Sequence, residues 1–224
     1  MIEHPFAIFR PYENRVRVRL YGRDDGISSD AALRKTEELP LVGGEHVHGN
    51  VTTIVQDAAE TRVPGVDGLT TNIAGLSLHT RGADCQIFAV YDPEHHSGGV
   101  LHAGWRGIVN GAIPAFVGAL TKEFCTDPAR LIVGAGPSLC KHCAEFTDPA
   151  AELTGIDPRF FNGRLADLPA IADDQWTSLG VKTTNIERHP DCTKCAVDRW
   201  YSLRGGDKEF LQQGYRNAMT FSLK

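Results

Sequence analysis

The alternation of apolar and polar positions marks the strands of this chain. Arg15-Val16-Arg17-Val18-Arg19-Leu20-Tyr21 alternates strictly, with one apolar and one basic face, and predicts a strand at a sheet edge or partly exposed. Thr52-Thr53-Ile54-Val55 is β-branched and predicts a second strand. Val66 to Leu78 predicts a bend at Asp67-Gly68 and a strand running on toward Ala83-Asp84-Cys85. Gln86-Ile87-Phe88-Ala89-Val90-Tyr91 and Gly99-Val100-Leu101 are apolar runs of buried strands, and Asp92 to Gly99 between them reads as a loop with His95 and His96 in solvent. Leu131-Ile132-Val133, Val181 to Ile186 and Ala218 to Leu223 predict further strands. Helical spacing is found elsewhere. Asp24 to Leu39 predicts a short helix capped by Ser28, Ser29 or Asp30 and stopped by Pro40. Ile108 to Phe124 predicts a helix that packs Ile113, Phe116, Val117 and Leu120 on the sheet, with Pro114 confined to its first turns and Cys125 read as packing. Asp148 to Ala172, punctuated by Pro149, Pro158 and Pro169, predicts an irregular and partly helical cap.

The chain is organised around Gly98 to Gly111, where an apolar strand ends on His102 and opens into Gly104 and Gly107. Trp105 and Arg106 then project an aromatic and a bidentate cation beside that histidine. Cys85 opens the preceding apolar run, so a cysteine and a histidine stand at neighbouring strand ends, an arrangement that holds a metal or builds a nucleophile. If residues 45–51 are extended, His46 and His48 share one face. An H-x-H pair is a metal arrangement, although two solvated histidines are the commoner meaning of an isolated pair. Gly134-Ala135-Gly136-Pro137-Ser138 is a tight turn whose amides either face an anion or simply end a strand. It lacks the spaced glycine and Lys-Ser/Thr of a phosphate-binding loop. Cys140-Lys141-His142-Cys143 and Cys192-Thr193-Lys194-Cys195 form two C-x-x-C pairs, but 48 residues separate them, well beyond the roughly 15–20 of a zinc ribbon. Two isolated pairs that ligate nothing are therefore the commoner expectation.

Size and composition narrow the function classes. A chain of 224 residues without repeats or a low-complexity linker buries a full core, and residues 1–224 are expected to form a single domain. The net charge of −5 leaves no basic footprint for nucleic acid. No apolar run approaches the roughly 18 residues that span a bilayer, and Met1-Ile2-Glu3-His4-Pro5 does not open a signal peptide, so the expectation is a cytoplasmic protein with no membrane partner. In a reducing compartment, the six cysteines point to metal or catalysis more than to disulfides.

Thr80-Arg81-Gly82-Ala83-Asp84-Cys85, His102-Ala103-Gly104-Trp105-Arg106-Gly107, Gly136-Pro137-Ser138, and Cys192-Thr193-x-Cys195 followed by Tyr201-Ser202-Leu203-Arg204 together resemble the YfiH family, also called laccase-domain or multicopper polyphenol oxidase-like proteins. The resemblance spans roughly His48 to Arg204 and implies an α+β fold of mixed β-sheets flanked by helices. It also implies zinc held by His48, Cys85 and His102, with copper the less favoured metal, since this chain has one H-x-H and two methionines where a multicopper oxidase needs several H-x-H pairs. The family's reported activities are phosphorolysis of purine nucleosides and of methylthioadenosine, adenosine deamination and, in a bacterial branch, editing of peptidoglycan precursors. His46 stands where the family usually has glutamine, and Asn72 where aspartate is common.

Three expectations follow. The leading one is a zinc-dependent enzyme acting on a purine nucleoside, and on phosphate if it is a phosphorylase. Cys85, His48, His102 and Arg106 are its catalytic candidates, and Trp105, Arg106 and Gly136 its substrate-binding candidates. The second is a hydrolase of amide or ester bonds with Cys85 as thiolate and His102 or His48 as base. The third is a metal-binding interaction protein with no turnover.

Overall fold

The computed structural model describes residues 1–224. Its strands are β1 (Ile2–Glu3), β2 (Val16–Tyr21), β3 (Leu41–Gly44), β4 (Thr52–Ile54), β5 (Arg62–Val63), β6 (Gly68–Thr71), β7 (Ser77–Gly82), β8 (Gln86–Asp92), β9 (Ser97–Ala103), β10 (Ile132–Ala135), β11 (Phe161–Asn162), β12 (Leu165–Ala166), β13 (Ile186–Arg188) and β14 (Asn217–Leu223). The helices are α1 (Asp30–Arg34), α2 (Trp105–Val109), α3 (Ala112–Phe124), α4 (Pro149–Glu152), α5 (Leu168–Ser178) and α6 (Lys208–Gln212). Two six-stranded sheets, β1-β2-β14-β7-β3-β5 and β13-β10-β8-β9-β6-β4, stand beside a small hairpin of β11 and β12. Each six-stranded sheet combines antiparallel and parallel pairs, so the fold is α+β with mixed sheets.

Alternation along β8 explains the layering. Ile87, Ala89 and Tyr91 turn toward the other sheet, where they meet Val18, Leu20, Leu78, Met219 and Phe221. Phe88 and Val90 turn the opposite way, against Phe116 and Leu120 of α3 and Ile171 and Trp176 of α5. A strand buried on both faces cannot alternate in polarity, so its sequence reads as a continuous apolar run. Each large side chain buried there contributes about 1.5–3 kcal/mol.

Several elements differ from the sequence expectation. β2 is the second strand from its edge, between β1 and β14. Its basic face is neutralised by three carboxylates: Glu3 accepts from Arg19 at 2.7 Å, Glu38 accepts from Arg17 at 3.2 Å, and the fully buried Glu37 lies 3.5 Å from Arg19 and 3.8 Å from Arg17 and accepts from the Tyr21 hydroxyl at 2.6 Å. Val66 to Leu78 holds two strands, β6 and β7, in different sheets. The loop between β8 and β9 shrinks to Pro93–His96, because Asp92 pairs with Ser97 and its carboxylate caps the turn at the Glu94 amide, 2.9 Å away. The helix from Ile108 breaks at Asn110-Gly111, where Gly111 takes φ +77° and separates α2 from α3. Cys125 is exposed, ending α3 at φ +56°, and does not pack. At 181–188 a 3-10 turn over Thr183–Asn185 precedes a strand of only Ile186–Arg188.

Candidate metal centre and its cavity

Antiparallel pairing of β8 with β9 sets the register of the site. Ile87 lies opposite His102, and Cys85 just precedes β8, so thiol and imidazole meet at one end of the hairpin. His48 arrives from the loop after β3. That loop is not extended, because His48 takes φ +60°, and no alternation relates it to His46. The donor atoms of His48, Cys85 and His102 lie within 4.8 Å of one another. His46 takes another part: its ring stacks on His102 with centroids 4.4 Å apart, and its Nε2 lies 3.3 Å from the Thr80 hydroxyl.

Asp67 assembles this cluster. Its Oδ1 accepts from His102 Nδ1 at 2.8 Å and from the His48 amide at 3.1 Å, while Oδ2 accepts from the amides of Gly49 at 2.7 Å and Val47 at 3.3 Å. One carboxylate thus fixes the His102 tautomer, leaving Nε2 for a metal, and holds the backbone that carries His48. Burial alone would raise the Asp67 pKa, but the His102 bond and the Gly49 amide bring it down to about 2. Gly104 provides the room. A Cβ there would stand 2.9 Å from Cys85 Sγ and 3.0 Å from the His48 ring.

Without a metal, Cys85 and His102 polarise each other. Burial pushes the thiol up, but the His102 charge and hydrogen bonds from both histidines bring it down to about 6. Burial pushes His102 down, while the Cys85 thiolate and Asp67 bring it up to about 9. The donor set of two imidazoles and a thiolate, one imidazole oriented by a carboxylate, fits Zn²⁺.

The Cys85 turn has its own support. Asp84 sits at φ +81°, and its carboxylate accepts from Thr193 Oγ1 at 2.7 Å, Ser202 Oγ at 2.6 Å and the Arg204 amide at 2.8 Å. Beside the donors opens a cavity of about 860 Å³ lined by His46, His48, Cys85 and His102. Arg34, Arg62, Arg81 and Arg216 also line it, against the single carboxylate of Asp30, so its wall is strongly positive. These arginines escaped sequence reasoning. Arg81 lies within the Thr80–Cys85 motif and was the one legible signal, while the others reach the cavity only through tertiary folding.

The remaining candidates lie elsewhere. Arg106 is exposed, with its guanidinium 4.2 Å over the Trp105 ring, which packs edge-on against Phe146. Neither lines the cavity. The Gly136 amide donates to Ile87 O at 2.8 Å, and a Cβ at Gly136 would meet Ile87 at 2.8 Å, so the glycine permits close packing on β8. The two C-x-x-C pairs converge, with the four sulfurs within 4.8 Å of one another.

Residues 28–216 match the family described as multi-copper polyphenol oxidoreductase laccase. The chain belongs to this family. Among relatives of this laccase-like chain, the purine nucleoside phosphorylase SCO2081 of Streptomyces coelicolor is 31% identical over 167 residues, covering 71% of this chain and 68% of the relative. The adenosine deaminase RL5, from an unknown prokaryotic organism, is 29% identical over 160 residues, covering 66% of this chain and 60% of that protein. The purine nucleoside phosphorylase YlmD of Geobacillus stearothermophilus is 37% identical over 204 residues, covering 81% of this chain and 74% of YlmD. The crystal structure of YlmD superposes with a TM-score of 0.81 at 22% identity over the structural alignment, covering 98% of this chain and 93% of that one. Of the two clusters of this laccase-like chain, one is four cysteines and the other joins a single cysteine to two histidines, so the donors do not fit a multicopper centre. No helix is long and apolar enough to cross a membrane.

Proposed function

We propose that the chain is a metal-dependent purine nucleoside phosphorylase. The observation that carries this reading is the cavity wall, where four guanidiniums face one carboxylate beside His48, Cys85 and His102. An anionic co-substrate fits such a wall, and water, the co-substrate of a deaminase, does not need it. The names of SCO2081 and YlmD support phosphorolysis, and that of RL5 supports deamination.

The Arg216 side chain bonds to protein only through Nη1, toward the carbonyls of Leu211 and Tyr215 at 2.7 Å. Its remaining N–H groups are the donors assigned to phosphate. In phosphorolysis a phosphate oxygen forms a bond to ribose C1′, the bond from C1′ to the purine nitrogen breaks, and the departing purine takes the electron pair and a proton. His79 lines the cavity with neither ring nitrogen hydrogen-bonded. Burial and the nearby arginines, against the pull of Asp30, bring its pKa down to about 4, so at neutral pH it is uncharged and leaves the positive charge of the wall to the arginines. His48, Cys85 and His102 would hold Zn²⁺, whose Lewis acidity polarises a substrate oxygen. Trp105 and Arg106 stand outside this scheme.

A second reading has its own observation. The polarised Cys85–His102 pair is the arrangement of a thiolate nucleophile and its acid, suited to amide or ester hydrolysis. Chromatography of adenosine and inosine incubated with and without phosphate tests both. Free base appearing only with phosphate, and lost in His102→Ala, is the expected result; inosine formed from adenosine without phosphate would make the chain a deaminase. Activity on esters that survives chelation and ends with thiol alkylation would favour the nucleophile.

A further inference from the structure

The two C-x-x-C pairs lie outside the site described above, and the fold brings them together across 48 intervening residues. Ser138 forms a parallel bridge to Cys192, and the Thr193 amide donates to Ser138 O at 3.1 Å. Each pair closes a tight turn, the Cys143 amide donating to Cys140 O at 2.9 Å and the Ala196 amide to Cys192 O at 3.0 Å. The Cys140 amide donates across the pairs to Cys192 Sγ at 3.3 Å. Cys143 Sγ and Cys195 Sγ are 3.5 Å apart, and all four cysteines are free.

That arrangement fits a tetrahedral tetrathiolate. Zinc–sulfur bonds of about 2.3 Å place the sulfurs of such a site about 3.8 Å from one another, and here all four lie within 4.8 Å. Ordinary core cysteines behave as small hydrophobes, with no reason to direct four sulfurs at one point. Lys141 and Lys194, both exposed within the pairs, put positive charge beside the dianion that four thiolates and one Zn²⁺ would form.

We propose that Cys140, Cys143, Cys192 and Cys195 hold a second, structural Zn²⁺ that staples the 138–144 turn to the 189–204 segment. That segment contains no helix or strand. It nonetheless supplies the Thr193 hydroxyl, the Ser202 hydroxyl and the Arg204 amide to the Asp84 carboxylate. The staple therefore holds in place the partners of the left-handed residue next to Cys85.

Native mass spectrometry of the full chain, expressed with zinc, counts the ions. His48→Ala/His102→Ala retains one zinc, Cys140→Ser/Cys195→Ser loses one relative to wild type, and the combined variant holds none. Zinc X-ray absorption of His48→Ala/His102→Ala gives a pure sulfur shell at about 2.3 Å, a readout that does not require the cysteine variants to fold. A metal-free His48→Ala/His102→Ala protein, iron in place of zinc, or nitrogen and oxygen in that shell would overturn the site. Hydrogen exchange tests the staple: in Cys140→Ser/Cys195→Ser, exchange over 82–85 and 192–204 rises about tenfold or more. Unchanged exchange there would refute the link to the Asp84 turn.

Discussion

Asp67→Asn tests the central claim about the metal centre, that one carboxylate builds it. All four hydrogen bonds to this side chain come from N–H donors, two on each oxygen. An asparagine keeps one acceptor and turns an NH₂ toward the others, so either His102 Nδ1 or the Val47–Gly49 amides must face a donor. In the metal-free protein the Asp67 pKa of about 2, against an ordinary 3.8, corresponds to about 2 kcal/mol of stability. The folded pKa is depressed, so this stability is complete above pH 3.8 and is lost as pH falls toward 2. Unfolding of wild type and variant, followed at pH 7 and below pH 3, should therefore show a gap of about 2 kcal/mol that narrows with acid. Loss of a residue that orients a ligand lowers metal affinity about 10–100-fold, or about 1.4–2.8 kcal/mol. Competition with a chromophoric chelator measures it. An affinity within about twofold of wild type, together with unchanged stability at pH 7, would refute the reasoning.

Other substitutions probe separate parts of the structure. Gly104→Ala puts a methyl against Cys85 Sγ and the His48 ring, and should weaken zinc binding about tenfold or more in the same chelator competition. Arg216→Gln should raise the phosphate KM about tenfold while leaving metal content unchanged, read by phosphate titration and metal analysis. The His79 pKa falls from an ordinary 6.5 to about 4, so its contribution to stability is complete above pH 6.5 and is lost as pH drops toward 4. His79→Gln should flatten denaturation midpoints across that window. Trp176→Ala, at a fully buried ring between Phe88 and Phe116, should cost about 3–5 kcal/mol in chemical denaturation.

The sequence revealed what depends on neighbours along the chain and hid what depends on distant partners. The apolar run of β8 and the glycines around His102 announced a buried hairpin with Cys85 and His102 at its end, because register alone puts them there. His48 at φ +60° breaks the two-residue period, and its backbone is held by Asp67, 19 residues on, so no local pattern could orient it. β2 read as an edge strand because its arginines implied solvent; their partners, Glu3 of β1 and Glu37 and Glu38 of the loop after α1, are brought to it by pairings that no periodicity shows. The cysteine pairs looked unrelated because their separation far exceeds ribbon spacing, yet the bridge from Ser138 to Cys192 unites them. Arg106 and Trp105 adjoin His102 in sequence, but the helix they begin carries them away from the cavity.

The last strand in chain order, β14, is an inner strand of its sheet, with β2 on one side and β7 on the other. As the chain emerges from the ribosome, β2 waits through almost 200 residues of synthesis for the partner that ties it to β7. Such long-range pairing makes folding slow and leaves unpaired strand edges open to association in the meantime. Met219 and Phe221 of that strand complete the core between the sheets, so part of the surface that β8 and β9 turn toward the other sheet stays uncovered until β14 has been made. Substitutions in β14 would thus be felt twice, as exposed strand edges during synthesis and as lost core packing in the finished protein.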